Sequence, residues 1–256
     1  MLSLNTRQSI DFVGGPLAGP NLAPAVRTAN GAPTVSSARF AIPPMISPTI
    51  KRLLSGLFLM FGLAALPNAT AAPAEQTAVF AGGCFWGMDA VFKHVKGVFE
   101  VVSGYAGGSA ATAHYERVSE GDTGHAEAVR VRFNPAQVSY PQLLRVFFSV
   151  AHDPTELNRQ GPDTGSQYRS AIFFTSAEQQ KMAQDTIRQL TAARTFSKPI
   201  VTQVVPLQQF YPAEAYHQNY LALHPYQPYI VINDQPKLEQ LRKRFPALYM
   251  PTGSDR

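Results

Sequence analysis

Cys84 is the only cysteine in the chain, and its neighbours are those that a reactive thiol needs. Gly82 and Gly83 precede it, and Phe85 and Trp86 follow. One cysteine excludes any intramolecular disulfide and any multi-cysteine zinc or iron–sulfur site. It is then either a small buried apolar residue or a nucleophile that works as a thiolate. The glycines let a ligand approach the backbone, and a helix starting at Cys84 aims its free amides and positive dipole end at the sulfur. An ordinary thiol titrates near ~8.5, and a helix N-terminus predicts a value lower by about a unit or more. Phe85 and Trp86, the single tryptophan, point about 100° apart in a first turn, so they do not both face a core. One or both wall a small apolar pocket beside the sulfur, unless Trp86 is simply core.

His125 and Glu127 spell H-x-E, the spacing of zinc deaminases, but the P-C-x-x-C partner is missing. The six histidines (94, 114, 125, 152, 217 and 224) include no i, i+4 pair, and no metal is expected.

The elements that must hold these residues follow from periodicity. Residues 77–81 read as a short buried strand broken by Gly82-Gly83, and 84–95 as a helix with Phe85, Met88, Phe92 and Val95 on one face. A second strand runs over 97–105. Residues 126–133 alternate, with Ala128, Arg130 and Arg132 against Val129, Val131 and Phe133. Ser139 caps a helix with Pro141 in its first turn, 168–175 is a fourth strand, and Ser176 caps a helix to about Ala193. Residues 201–205 are strand-like, and 213–223 and 236–244 are helical. This order predicts an α+β fold, a two-layer ferredoxin-like (split βαβ) sandwich with additional C-terminal helices and coil.

Charge separates a leader from this body. Of 22 basic and 17 acidic residues, five basic and one acidic fall in residues 1–72, so the body is nearly neutral. With no run of Lys and Arg to neutralise phosphates, nucleic-acid binding is not expected. Residues 1–44 are rich in Pro, Ala, Gly and Ser without periodicity, a composition for disorder or for a segment absent from the mature protein. Lys51-Arg52, the apolar run 53–66 and Ala69-Thr70-Ala71 make 45–72 a secretory signal peptide, with translation starting at Met45 and export to a bacterial periplasm. The alternatives are an organelle transit peptide or an uncleaved membrane anchor, although the run is shorter than the ~17–25 residues of a spanning helix. Residues 73–256 form the catalytic domain, expected to be a monomer.

Within that domain, Gly83-Cys84-Phe85-Trp86-Gly87 resembles the signature of the peptide methionine sulfoxide reductases of the A type. Further matches follow in order. They are Gly104-Tyr105-Ala106-Gly107-Gly108, Gly121-Asp122-Thr123-Gly124-His125-Ala126-Glu127, His152-Asp153-Pro154, Asn158-Arg159-Gln160-Gly161, Gly165-Ser166-Gln167-Tyr168-Arg169-Ser170 and Phe210-Tyr211-Pro212-Ala213-Glu214. The resemblance covers about 77–248. It implies reduction of protein-bound and free methionine S-sulfoxide, with Cys84 attacking the sulfoxide sulfur and ending as a sulfenic acid. Phe85 and Trp86 would hold the S-methyl group, and Glu127 would be a protonated acid on the oxygen, as burial of a carboxyl allows. Tyr115 and Tyr168 would hydrogen-bond that oxygen, and Asp163 would order a water.

Many relatives carry further cysteines that resolve the sulfenic acid. Here Val118-Ser119-Glu120 stands where one is often found, and the tail has none. No cofactor is expected. The reductant must be an external thiol: a thioredoxin-like or glutaredoxin-like protein, glutathione, or dithiothreitol in vitro. Two other readings compete. One is a cysteine hydrolase or acyltransferase with Cys84 activated by His125, His152 or His217. The other is a module that binds methionine sulfoxide without turning it over.

Overall fold

The computed structural model describes residues 75–251, and the leader expected over 1–44 and 45–72 lies outside them. The first half of the described chain runs β1 (Gln76–Ala81), α1 (Phe85–Lys93), β2 (Val98–Ala106), α2 (Tyr115–Val118), β3 (Ala126–Phe133) and α3 (Tyr140–Val146). Then come β4 (Arg159–Gln160), β5 (Asp163–Thr164), β6 (Ala171–Phe174), α4 (Ala177–Ala192), β7 (Gln203–Pro206), β8 (Phe210–Pro212), α5 (Tyr220–Leu223) and α6 (Gln235–Arg244). Among the described residues no helix is long and apolar enough to cross a membrane.

Strands β6, β1, β3 and β2 lie side by side in that order, each antiparallel to the next. With α1 joining β1 to β2 and α3 joining β3 to β6, this is the split βαβ arrangement expected. β7 extends the sheet in parallel beside β6 after the α4 crossover, and β8 adds an antiparallel strand beside β2.

The period of two along β3 sorts the sheet faces. Val129, Val131 and Phe133 are buried in the main core, whereas Ala126 and Ala128 belong to a thinner layer with Val79, Ala81, Ala171, Phe173 and Phe210. Glu127 has the parity of the valines, so the strand turns its carboxylate inward. In the core, Phe80 stacks on Phe92 of α1 (5.2 Å between centroids) and on Phe147 just after α3 (5.0 Å). All three rings are fully buried, each worth roughly 2–3 kcal/mol. They clamp both helices to β1 and fix the β1–α1 junction at which Cys84 stands.

Both expected helix caps are present. The Ser139 side chain forms a capping box with Gln142, and the Ser176 side chain accepts from the Gln179 N–H. Elsewhere the boundaries differ from those expected. The fourth strand is only Ala171–Phe174, because Ser166–Tyr168 coil into a 3₁₀ turn. The Arg169 guanidinium ties that turn down by donating to the carbonyls of Ser166, His125 and Gly124 at 2.9, 3.0 and 2.8 Å. Residues 213–223 are not one helix: Asn219 is left-handed (φ 56) and separates a 3₁₀ turn, Ala215–His217, from α5. The helix capped by Ser139 was expected to carry Phe147 and Phe148 on its apolar face, but α3 ends at Val146 and these two residues open a π turn, Phe147–Ala151. A second π turn, Ile230–Asp234, and the strands β4, β5 and β8 have no counterpart in the expected pattern.

Candidate active site

Cys84 is the N-cap of α1 and is 8% exposed. The preceding Gly83 has φ +91, and a Cβ there would meet Cγ of Gln160 at 2.5 Å. The turn that delivers the sulfur therefore needs glycine for both backbone and space. The Gln160 amide is held in turn by the Asp153 backbone, accepting from its N–H and donating to its carbonyl.

A cavity of about 200 Å³ opens beside the sulfur, lined by Cys84, Phe85, Trp86, Tyr115, Glu127, Asp163, Tyr168 and Tyr229. It is smaller than the roughly 300–1,000 Å³ of a drug- or cofactor-sized site and suits a single side chain. All seven residues singled out in the sequence meet here, brought from α1, α2, β3, β5 and the turn before β6. Tyr115 opens α2 and Tyr168 closes its 3₁₀ turn.

Glu127 is buried, and its Oε2 accepts from the Phe85 N–H at 3.0 Å. Burial pushes its carboxyl up to about 8, and nearby Asp163 adds to that rise while the Phe85 amide opposes it. At neutral pH the group is a neutral acid with a proton to give. Burial and the nearby Glu127 likewise raise the Tyr115 and Tyr168 hydroxyls, which stay protonated as donors.

Cys84 departs from expectation. Burial pushes its thiol well above the ordinary range, with Glu127 and Asp234 adding to the rise; the Trp86 amide and Lys237 oppose it. The helix-end effect expected to favour a thiolate is present but is outweighed by desolvation. The resting sulfur is therefore a thiol.

The aromatic wall is braced from behind. The Trp86 indole stacks on Tyr220 (3.7 Å between centroids, 6° apart) and meets Tyr229 edge-on. Its Nε1–H donates to Nδ1 of His217 at 3.1 Å, which places the His217 proton on Nε2. His217 also packs against Phe85 and Tyr115. One carboxylate joins two tyrosines: Glu214 accepts from the Tyr105 hydroxyl at 2.7 Å and the Tyr115 N–H at 2.9 Å. The Tyr229 hydroxyl donates to Asp163. Trp86 is thus pocket wall rather than plain core.

None of the three histidines considered as a base for Cys84 serves it. His125 uses both ring nitrogens on Gly108 N and Ser109 O, and His152 uses both on Phe147 O and Ser170 Oγ. His217 is the acceptor for Trp86. Among the described residues no cluster of three or more His, Cys, Asp or Glu groups comes together to hold a metal ion. Tyr229, His217 as a brace, and Asp234 with Lys237 were not found from sequence. Tyr229 lies in Tyr226-Gln227-Pro228-Tyr229, far along the chain from Cys84, with no spacing that signals it.

Residues 76–248 match the family model described as peptide methionine sulfoxide reductase. The chain is 56% identical over 179 residues to peptide methionine sulfoxide reductase MsrA 2 of Mesorhizobium japonicum, a match covering 70% of this chain and 92% of that protein. It is 52% identical over 177 residues to a peptide methionine sulfoxide reductase MsrA of Thermus thermophilus, covering 69% and 99%. Among solved structures it resembles reduced Mxr1 of Saccharomyces cerevisiae, with 34% identity and a TM-score of 0.57 over 60% of this chain and 87% of that one. Methionine sulfoxide reductase A of Corynebacterium diphtheriae gives 34% and 0.54, over 62% and 80%.

Proposed function

The chain belongs to the peptide methionine sulfoxide reductase family, A type, and from that premise we propose how its own residues reduce the S epimer of methionine sulfoxide. The observation that carries the reading is the buried Glu127 carboxyl, protonated at neutral pH and hydrogen-bonded to the residue next to the one cysteine. A nucleophilic sulfur, a neutral acid and two hydroxyl donors, Tyr115 and Tyr168, share one side-chain-sized cavity. That set suits removal of oxygen from a sulfoxide.

In this reading the sulfoxide oxygen points at Glu127, Tyr115 and Tyr168, and the S-methyl group lies against Phe85 and Trp86. Asp163, held by Tyr229, orders a water at the edge of the cavity. Cys84 gives up its proton and attacks the sulfoxide sulfur, and Glu127 passes its own proton to the oxygen. The oxygen then passes from the substrate sulfur to Cys84 Sγ: a sulfur–oxygen bond forms there as the substrate's sulfur–oxygen bond and the sulfur–sulfur bond made in the attack break. The thioether leaves, and Cys84 is left as a sulfenic acid. The substrate sulfur gains two electrons and Cys84 loses two, while the proton lost by the thiol restores Glu127.

With no second cysteine in the chain, an external thiol attacks the sulfenic acid, releases water and forms a mixed disulfide. A second thiol frees Cys84. The reductant is a thioredoxin-like or glutaredoxin-like protein, or glutathione. The substrates are oxidised proteins and peptides together with the free amino acid, and the enzyme acts as a monomer. Export through residues 45–72 is part of the proposal, and N-terminal peptide mapping of the native protein reads it directly.

The test is reduction of a methionine sulfoxide peptide, resolved by epimer, by the full-length protein with excess dithiothreitol. Loss of the S epimer alone, abolished by Cys84→Ser, is expected. No reduction by folded protein overturns the reading.

A further inference from the structure

Gly87, the last residue of the motif around Cys84, faces an ion pair from the far end of the chain. A Cβ on Gly87 would lie 2.1 Å from Oδ1 of Asp234 and 2.8 Å from Nζ of Lys237. Lys237 Nζ donates to Asp234 Oδ1 at 3.0 Å, with the Asp234 side chain fully buried and that of Lys237 17% exposed. Burying an ion pair costs several kcal/mol per ion before any attraction is recovered. This pair does not recover all of it, because Asp234 Oδ2 is buried with no hydrogen-bond partner. Replacing such a pair with well-packed apolar residues is often neutral or stabilising. Its placement is the alternative reason for it, against the bare backbone of the first turn of α1, which carries the nucleophile at its N-cap. Asp234 also ends the π turn that begins right after Tyr229, a residue of the cavity wall.

We propose that the Asp234–Lys237 pair, seated on Gly87, is the charge device that governs thiolate formation at Cys84. The two residues are positioning residues that act through space and touch neither substrate nor oxygen. Asp234 opposes a negative charge on the sulfur and Lys237 favours it. The other titratable groups around Cys84 are Glu127 from β3, Asp163 from β5, and the hydroxyls of Tyr115, Tyr168 and Tyr229. At neutral pH Glu127 and the tyrosines are uncharged, which leaves the pair as the charges acting on the sulfur, with Lys237 opposing the rise that burial imposes on the Asp234 carboxyl. Burial keeps the resting thiol protonated and Asp234 adds to that hold, while Lys237 limits the addition so the thiolate stays reachable once substrate is bound.

The inference rests on Cys84 being the nucleophile, and its test reads the thiol itself. The pH dependence of iodoacetamide alkylation of Cys84, the only thiol, is followed by mass spectrometry on the full-length protein. Asp234→Asn is expected to lower the alkylation midpoint and speed the reaction several-fold at pH 7. Lys237→Gln is expected to raise the midpoint and slow it several-fold, while Lys237→Arg, which keeps the charge, restores wild-type behaviour. A purely structural role moves both neutral variants the same way. Shifts in one common direction, or no shift in Lys237→Gln with an unchanged melting curve, overturn the proposal. Lys237 reaches solvent, so its two variants decide the matter even if Asp234→Asn does not fold. Opposite shifts in a protein that reduces no sulfoxide sink the proposed reaction and leave the charge device standing.

Discussion

Glu127→Gln separates what this carboxyl does for catalysis from what it costs the fold. Gln keeps the volume and an oxygen to accept from the Phe85 N–H, which Glu127 Oε2 accepts at 3.0 Å, but it has no proton to give to an oxyanion. Loss of a general acid removes roughly 10²–10⁴-fold in rate, or about 3–5 kcal/mol of transition-state stabilisation. Stability moves the other way. The carboxyl titrates near 4.5 in an unfolded chain and near 8 in its buried place. Its folded value is raised, so the linked stability is fully present below pH 4.5 and is lost as pH rises to about 8. Between those values the unfolded chain releases a proton that the folded one retains. At 1.36 kcal/mol per unit, wild type loses roughly 4 kcal/mol between pH 4 and pH 8. The glutamine variant does not titrate and escapes the loss. Melting curves should therefore nearly coincide at pH 4 and differ by roughly 10 °C at pH 8, with the variant the more stable. Activity is read as kcat/KM for a methionine sulfoxide peptide with dithiothreitol. A variant within tenfold of wild type, or a difference in melting temperature that does not grow with pH, refutes the reasoning.

Three further outcomes follow from the geometry. Trp86→Phe loses the indole bond to His217 and part of the stack on Tyr220; at about 1.4 kcal/mol it should raise KM about tenfold, with kcat changed much less. Arg169→Met releases the three carbonyls that pin the turn of Tyr168, and should cost about 2–4 kcal/mol in urea unfolding together with a fall in kcat. Gly83→Ala combines a φ of +91 with a contact of 2.5 Å to Gln160, and thermal melting should show a loss of about 3 kcal/mol.

Much of the site was readable in one dimension because strands and helix starts impose short periods. The alternation along 126–133 placed the valines and Phe133 on one face, and Glu127 has their parity, so its burial was implicit in the pattern. The caps at Ser139 and Ser176 are local side-chain-to-backbone bonds and stand where they were expected. The ordered motifs from Gly83 to Glu214 pointed to the family, and that resemblance supplied seven of the eight residues that line the cavity, all but Tyr229. Local patterns failed where distant groups decide the backbone. The strand expected from Tyr168 became a 3₁₀ turn because Arg169 reaches the carbonyls before β3, and Asn219 broke a helix that periodicity ran through.

The sequence by itself singled out Cys84 as the proposed nucleophile, gave the expectation of the fold class, and holds no second cysteine to resolve a sulfenic acid. It did not determine the state of that nucleophile. The helix end at Cys84 argues for a thiolate, yet burial, with Asp234 adding to it, holds a thiol at neutral pH. Glu127 adds its own opposition once it ionises above about 8. Ionisation depends on the solvent removed and the charges gathered around one atom, and those arrive from β3 and from residues 234–237. Only the folded chain brings them together, so only the tertiary structure decides.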